Sequence, residues 1–146
     1  MTARRHDPAD EARRFNEEAP WGPFPQSLGL ELISVAPDRV EGHLPVTEQL
    51  IAGTGVLWAP IVIGLADALC AAGTGANLDF DGGESFTTLE LKANFMGTAG
   101  PGQMITGVGI PVYRGRTTHV WDVTVTNDAT GKPIAAFRCT QMVLRS

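Results

Sequence analysis

The chain has 146 residues, 43% hydrophobic and 18% charged, with a formal net charge of -5. That is the size of one domain with one core, too apolar to stay disordered. The acidic balance argues against a nucleic-acid module, and two cysteines with no metal-ligand spacing exclude a zinc motif or a disulfide-dense secreted scaffold.

Residues 1–27 are expected to form a helix and a proline-rich arm ahead of a single domain over 28–146. The opening stretch, MTARRHDPADEARRF, is charged and lacks the apolar core of a signal peptide, so a cytoplasmic protein is expected. Asp10 to Glu18 reads as a short polar helix, capped by Asp7 with Pro8 in the first turn. Ala19 to Ser27 holds three prolines and is expected to be extended, with Trp21 and Phe24 packing on a groove rim or a core edge.

Leu28 to Val35 and Val40 to Val46 alternate as strands and make a hairpin about Pro37-Asp38. His43 falls on the polar face. Thr47 to Val56 connects to the next stretch, Gly53 to Gly75, which is apolar nearly all round a helical wheel. Its only charge is Asp67, and no other Asp, Glu, Lys or Arg lies between Glu48 and Asp79. A helix apolar all round is normally buried. Its length would suit a membrane, but Asp67, Pro60 and its glycines argue for a core helix instead. Pro60 fits the first turn and Gly73 to Gly75 suggests a glycine C-cap.

Four strands follow. Thr88 to Phe95 places Leu89, Leu91, Ala93 and Phe95 on one face and Thr88, Glu90, Lys92 and Asn94 on the other. Gln103 to Tyr113 has a bend expected at Gly107 and Gly109. His119 to Thr126 turns Trp121, Val123 and Val125 inward. Pro133 to Leu144 turns Ala135, Phe137 and Cys139 inward. Cys70 and Cys139 read as small buried hydrophobes. Strand, strand, long apolar helix and four strands predict an α+β fold, one curled antiparallel sheet wrapped around one central helix.

That order, with GLADALCAAG, TLELKANFMGTAGPG, the YRGRTT loop and the TGKPIAAFRCT lead into the last strand, resembles the hotdog-fold thioesterases. Within them it is most similar to the phenylacetate-degradation (PaaI-like) acyl-CoA thioesterases, over roughly Leu28 to Leu144. The resemblance implies a hotdog fold, an acyl-CoA substrate and a homodimer, often paired into a homotetramer. It implies no cofactor and no metal. There is a departure. Where the family carries Asn and then His-Gly-Gly ahead of the acid, this chain has Ala52 and then Trp58, Ala59 and Pro60. Gly53-Thr54 and Pro60 match a variant of the connection.

Thioester hydrolysis needs an attacking group, a donor for the developing oxyanion and a seat for the acyl carrier. Asp67 is the candidate base or nucleophile, since a lone acid in an apolar helix is costly unless satisfied or working. The resemblance implies that the oxyanion donor is the backbone N–H of Ala59, at the positive end of the helix. It implies that Thr88 orients the attacking water; a β-branched residue opening a strand is the plainer reading of the same position. Trp58 either walls the acyl pocket or packs. Arg114 and Arg116, about Gly115, are candidate contacts to CoA phosphates, or a solvated turn. Gly53 and Thr54 are candidate substrate contacts through close backbone approach. Ala59 and Asp67 are eight residues apart, about 12 Å along one helix. One carbonyl cannot meet both, so a site shared between two copies is expected. The expected function is acyl-CoA hydrolysis; an acyl-CoA-binding protein without turnover is the alternative, and a dehydratase lacks a motif-placed His.

Overall fold

The computed structural model describes residues 7–20 and 22–146. Trp21 lies outside the described residues. Two short helices, α1 (Pro8–Glu18) and α2 (Phe24–Ser27), precede a hairpin of β1 (Glu31–Ala36) and β2 (Arg39–Pro45). A 3-10 turn at Glu48–Leu50 leads into α3 (Ala59–Gly75). The chain closes with β3 (Glu84–Phe95), β4 (Met104–Arg114), β5 (Thr118–Asn127) and β6 (Lys132–Arg145). The six strands form one antiparallel sheet in the order β1-β2-β4-β5-β6-β3. α3 touches all six strands and is buried along eleven of its seventeen residues, so the sheet surrounds it as the apolar wheel requires. No helix among the described residues is long and apolar enough to cross a membrane.

α1 starts as expected: the Asp7 carboxylate accepts from the Ala9 N–H at 2.8 Å and Pro8 occupies the first turn. Its Ala12 and Phe15 join the main core. The Asn16 amide accepts from Leu32 N–H at 2.9 Å and donates to Leu32 C=O at 2.8 Å. That pair satisfies the outer edge of β1 at its bulge, between Leu32 and Ser34, where an open edge would otherwise invite another strand. The proline-rich arm is not extended throughout. Pro25 sits in the first turn of α2, a position that tolerates its missing N–H, and Phe24 stays 67% exposed instead of packing.

Two further expectations are corrected. α3 runs through Gly75 and ends on Ala76 in right-handed geometry, so no glycine C-cap forms. The glycines serve packing instead. A Cβ on Gly73 would lie 2.5 Å from the Trp121 ring, whose Nε1 donates to Thr74 Oγ1 at 3.0 Å. Gly107, expected at a bend, is likewise a contact point. A Cβ there would meet Leu69 Cδ1 at 2.5 Å, and one on its cross-strand partner Gly42 would meet Leu69 Cδ2 at 2.9 Å. Leu69, fully buried, therefore sits in a socket cut by two glycines.

Gly73→Ala should lower stability by about 1–2 kcal/mol, because overpacking against a fixed indole outweighs the roughly 1 kcal/mol that Ala gains over Gly within a helix. Gly53→Ala, with nothing within 4 Å of the new Cβ, is the neutral control, and urea denaturation of both variants reads the difference.

Candidate active site

Asp67 projects from the middle of α3 towards β3 and β6 and is half-buried. Its carboxylate Oδ1 accepts from the Thr88 hydroxyl at 3.3 Å and from the Cys139 thiol at 3.7 Å. Burial pushes the Asp67 carboxyl above its ordinary value of 3.8; the Thr88 and Cys139 donors pull part of that shift back. Nothing cationic contributes. Asp67 is thus a weakly solvated acid held by two modest donors.

Strict alternation places Thr88 on the face opposite Leu91, pointing away from the helix. The ladder between β3 and β6 slips by one residue between Thr88 and Glu90. Leu89 is the extra residue, and the slip turns Thr88 to the inner side together with Leu91, Ala93 and Phe95. Their cross-strand partners, Gln141, Cys139, Phe137 and Ala135, are all buried inner-face residues. The bulge is what brings Thr88 to Asp67.

The other end of α3 carries a different arrangement. Leu57 N–H donates to Ala99 C=O, Trp58 N–H to Leu50 C=O and Ile61 N–H to Trp58 C=O, each at 3.0 Å. Pro60 has no N–H. Ala59 N–H is left as the untied donor at the positive end of the helix. Ala59 also lines a cleft of about 190 Å³ with Val56, Leu57, Val62, Phe95 and Thr98. Asp67 does not line it. Within one chain the acid and the amide are apart, as the helical rise requires.

The remaining expected residues fall in three places. Gly53 and Thr54 are exposed at the tip of a tight loop, closed by Ala52 N–H to Val56 C=O at 2.8 Å and an Ile51–Leu57 bridge. Trp58 caps α3, is 56% exposed and stands outside the cleft lining. Arg114 is engaged: its Nη1 donates to Pro37 C=O at 2.9 Å and to Asn77 Oδ1 at 3.2 Å, tying β4 to the hairpin turn and the end of α3. Arg116 is exposed, and its guanidinium has no partner among the described residues. His43, expected in solvent, contacts Glu31 Oε2 at 3.3 Å.

Two residues beside Asp67 were not read as site residues. Cys139 reads from the sequence as packing alone; it also donates to the acid. Gln141 is fully buried and its Nε2 donates to Thr88 Oγ1 at 3.4 Å. A signal for it existed: the inward series Ala135, Phe137, Cys139 continues to position 141, where an amide is out of place in a core. Cys70 is no competing nucleophile. The neighbouring Cys139 thiol and burial both push its thiol well above the usual range, so it stays protonated. Among the described residues, no group of three or more His, Cys, Asp or Glu side chains is placed to hold a metal ion.

An antiparallel sheet curled round one helix is the architecture against which this chain can be compared. Residues 54–134 match the family model described as the Thioesterase superfamily. A 1,4-dihydroxy-2-naphthoyl-CoA hydrolase of Listeria monocytogenes is 30% identical over 115 residues, covering 79% of this chain and 90% of its own. The structure of a variant of thioesterase PA1618 from Pseudomonas aeruginosa superposes with a TM-score of 0.84 at 23% identity, over 100% of both chains. The Escherichia coli PaaI protein, from the phenylacetic acid degradation operon, gives a TM-score of 0.79 at 20% identity over 94% of this chain and 96% of its own. The chain therefore belongs to the thioesterase superfamily. It is a thioester hydrolase of the hotdog fold, and PaaI is among its structural neighbours.

The raised pKa of Asp67 carries a stability consequence with a definite sign. The folded chain holds this proton more tightly than the unfolded chain, so stability falls as pH rises from 3.8 through the folded pKa. Asp67→Asn should therefore melt higher than the wild type at pH 7, and the two should converge as pH falls towards 3.8; paired melting curves against pH check it.

Proposed function

We propose that this chain hydrolyses a small or medium acyl-CoA, aliphatic or aromatic, to the free acid and CoA, at a site built by two copies. The observation that carries the reading is the placement of Asp67 and the Ala59 N–H on one rigid helix. They are about 12 Å apart, too far to serve one carbonyl, yet each is disposed for one half of the reaction. A two-fold axis beside antiparallel copies of α3 brings the acid of one to the amide of the other. An exposed apolar strip supports a copy seated there. Phe80, Leu89, Leu91, Phe95 and Met96 are all exposed, and β3 ends the sheet with one side unpaired.

In this reading the acyl carbonyl rests on Ala59 N–H at the cleft, and Thr88 of the other copy places a water against Asp67. Asp67 takes a proton from the water as its oxygen bonds to the carbonyl carbon. Ala59 N–H and the helix dipole hold the resulting oxyanion. The tetrahedral adduct collapses, the C–S bond breaks, and the proton on Asp67 passes to the departing CoA thiolate. Direct attack by Asp67 through an anhydride is the other route from the same geometry. Gly53 and Thr54, at an exposed loop tip before α3, line the approach for the carrier, with Trp58 beside it. Arg116, whose charge is unspent, meets a CoA phosphate; Arg114 serves the fold first. A cytoplasmic homodimer, or a homotetramer of two such pairs, completes the reading.

Thiol release across acetyl-, hexanoyl-, palmitoyl-, benzoyl- and phenylacetyl-CoA tests it, with Asp67→Ala expected to lose roughly a hundredfold or more. The shared site has its own test. Ala59→Pro removes the amide at a position that accepts proline, and should be nearly inactive. Co-refolding it with Asp67→Ala should restore about one quarter of wild-type activity, since half of the dimers are mixed and each holds one intact site of two. No recovery on mixing would place both groups of each site in one copy. An Asp67→Ala protein that turns over at the wild-type rate would remove the hydrolytic proposal.

A further inference from the structure

Four polar side chains stand in one file across the inner face of the sheet. His119 on β5 is the direct cross-strand neighbour of Gln141 on β6, and Gln141 is the direct neighbour of Thr88 on β3. Thr88 meets Asp67 of α3 at 3.3 Å. His119 is 4% exposed and Gln141 not at all. Buried polar atoms nearly always have partners, so exceptions need a reason. Among the described residues the two exceptions are His119 Nδ1 and Gln141 Oε1. They belong to facing neighbours, whose Cβ atoms lie about 5 Å apart in such a pair. One is a nitrogen that can carry a proton and the other a carbonyl oxygen. Neither atom finds a hydrogen-bond partner, and the amide is held from its other side, where Nε2 lies 3.4 Å from Thr88 Oγ1.

The sense of the chain then follows from donor counting. An amide nitrogen only donates, so Thr88 Oγ1 accepts from Gln141 Nε2 at 3.4 Å. The hydroxyl has a single proton, and an ionised carboxylate only accepts. The Thr88 proton is therefore left for Asp67. Were the amide absent, that hydroxyl would be free to rotate away from the acid.

We infer that Gln141 is a positioning residue for the hydrolysis: its buried amide holds Thr88 with the hydroxyl proton directed at Asp67, and so fixes the acid and the water it serves. The inference rests on the proposed thioesterase site. Gln141 touches no reacting atom. It acts through Thr88, and this is what separates it from a residue that only fills the core.

The test is a double-mutant cycle on the acyl-CoA that the wild type turns over fastest. Gln141→Leu should lower kcat roughly fivefold to tenfold, the size of one lost hydrogen bond, with KM within about twofold. Thr88→Val/Gln141→Leu should be no slower than Thr88→Val alone, because the amide has nothing left to hold. If Gln141→Leu fails to fold, the near-isosteric Gln141→Met takes its place in the cycle. A second readout needs no turnover: the Asp67 carboxyl, followed by NMR, should titrate at higher pH in Gln141→Leu, since a hydroxyl no longer held on it stabilises the charge less. Multiplicative losses in the cycle, or a folded variant with wild-type kcat and an unmoved Asp67 titration, would overturn the role. Asp67→Ala, run alongside, keeps the two ideas apart. Wild-type turnover in that variant defeats the thioesterase site and leaves the NMR titration to decide whether Gln141 holds Thr88.

Discussion

The depth at which α3 seats in the sheet governs the rest of the molecule. Leu69 drops into the space left by Gly42 and Gly107 on neighbouring strands, and the Trp121 ring lies flush against Gly73. These contacts lock the helix in height and in rotation, since neither a leucine in a two-glycine socket nor an indole bonded to Thr74 can shift without a clash. Asp67 is two residues before Leu69, about 200° round the wheel, so the socket on β2 and β4 aims the acid at β3 and β6. The site's geometry is set by apolar packing before any polar contact is made.

The polar contacts then decide how well the acid is tolerated. Asp67 has no cation beside it; it has a hydroxyl at 3.3 Å and a thiol at 3.7 Å, both long. That is enough to keep the carboxyl from being stranded and too little to quench it. A short, charge-assisted partner such as arginine would hold the acid ionised and lower its basicity. A raised carboxyl costs stability at neutral pH and gains proton affinity, which suits the base role proposed for Asp67.

Much of this was legible in the chain. The alternation of β2, β5 and β6, the all-round apolar helix and the isolation of Asp67 are periodic signals, and they gave the sheet, the core and the acid. What escaped depends on events that periodicity cannot carry. One extra residue at Leu89 reverses the facing of everything before it, so strict alternation sets Thr88 opposite Leu91 and Phe95 whereas the bulge puts it on their face. Gly73 and Gly107 looked like punctuation because a glycine's reason, an indole or a leucine from a distant strand, lies elsewhere in the sequence. Prolines in 20–25 argued for extension, although a first helical turn accepts them equally well. The pairing of Arg114 with Pro37 C=O is long-range in the same way.

The start of α3 explains how the departure from the His-Gly-Gly pattern fits the chemistry. Two glycines would offer two bare amides to an anion. Here Pro60 deletes one donor, and the N–H groups of Leu57, Trp58 and Ile61 are committed to Ala99, Leu50 and Trp58. Ala59 alone remains, with the full helix dipole behind it. Proline also fixes its own φ, which stiffens the turn that carries this amide. In the proposed reading, the loss of a second donor is met by a better-defined first one. With the acid rigidly placed eight residues further along the same rod, neither half can bend towards the other. In the proposed reading a thioester that needs both is reached from two rods, with the exposed apolar flank of β3 as the seat of the second chain.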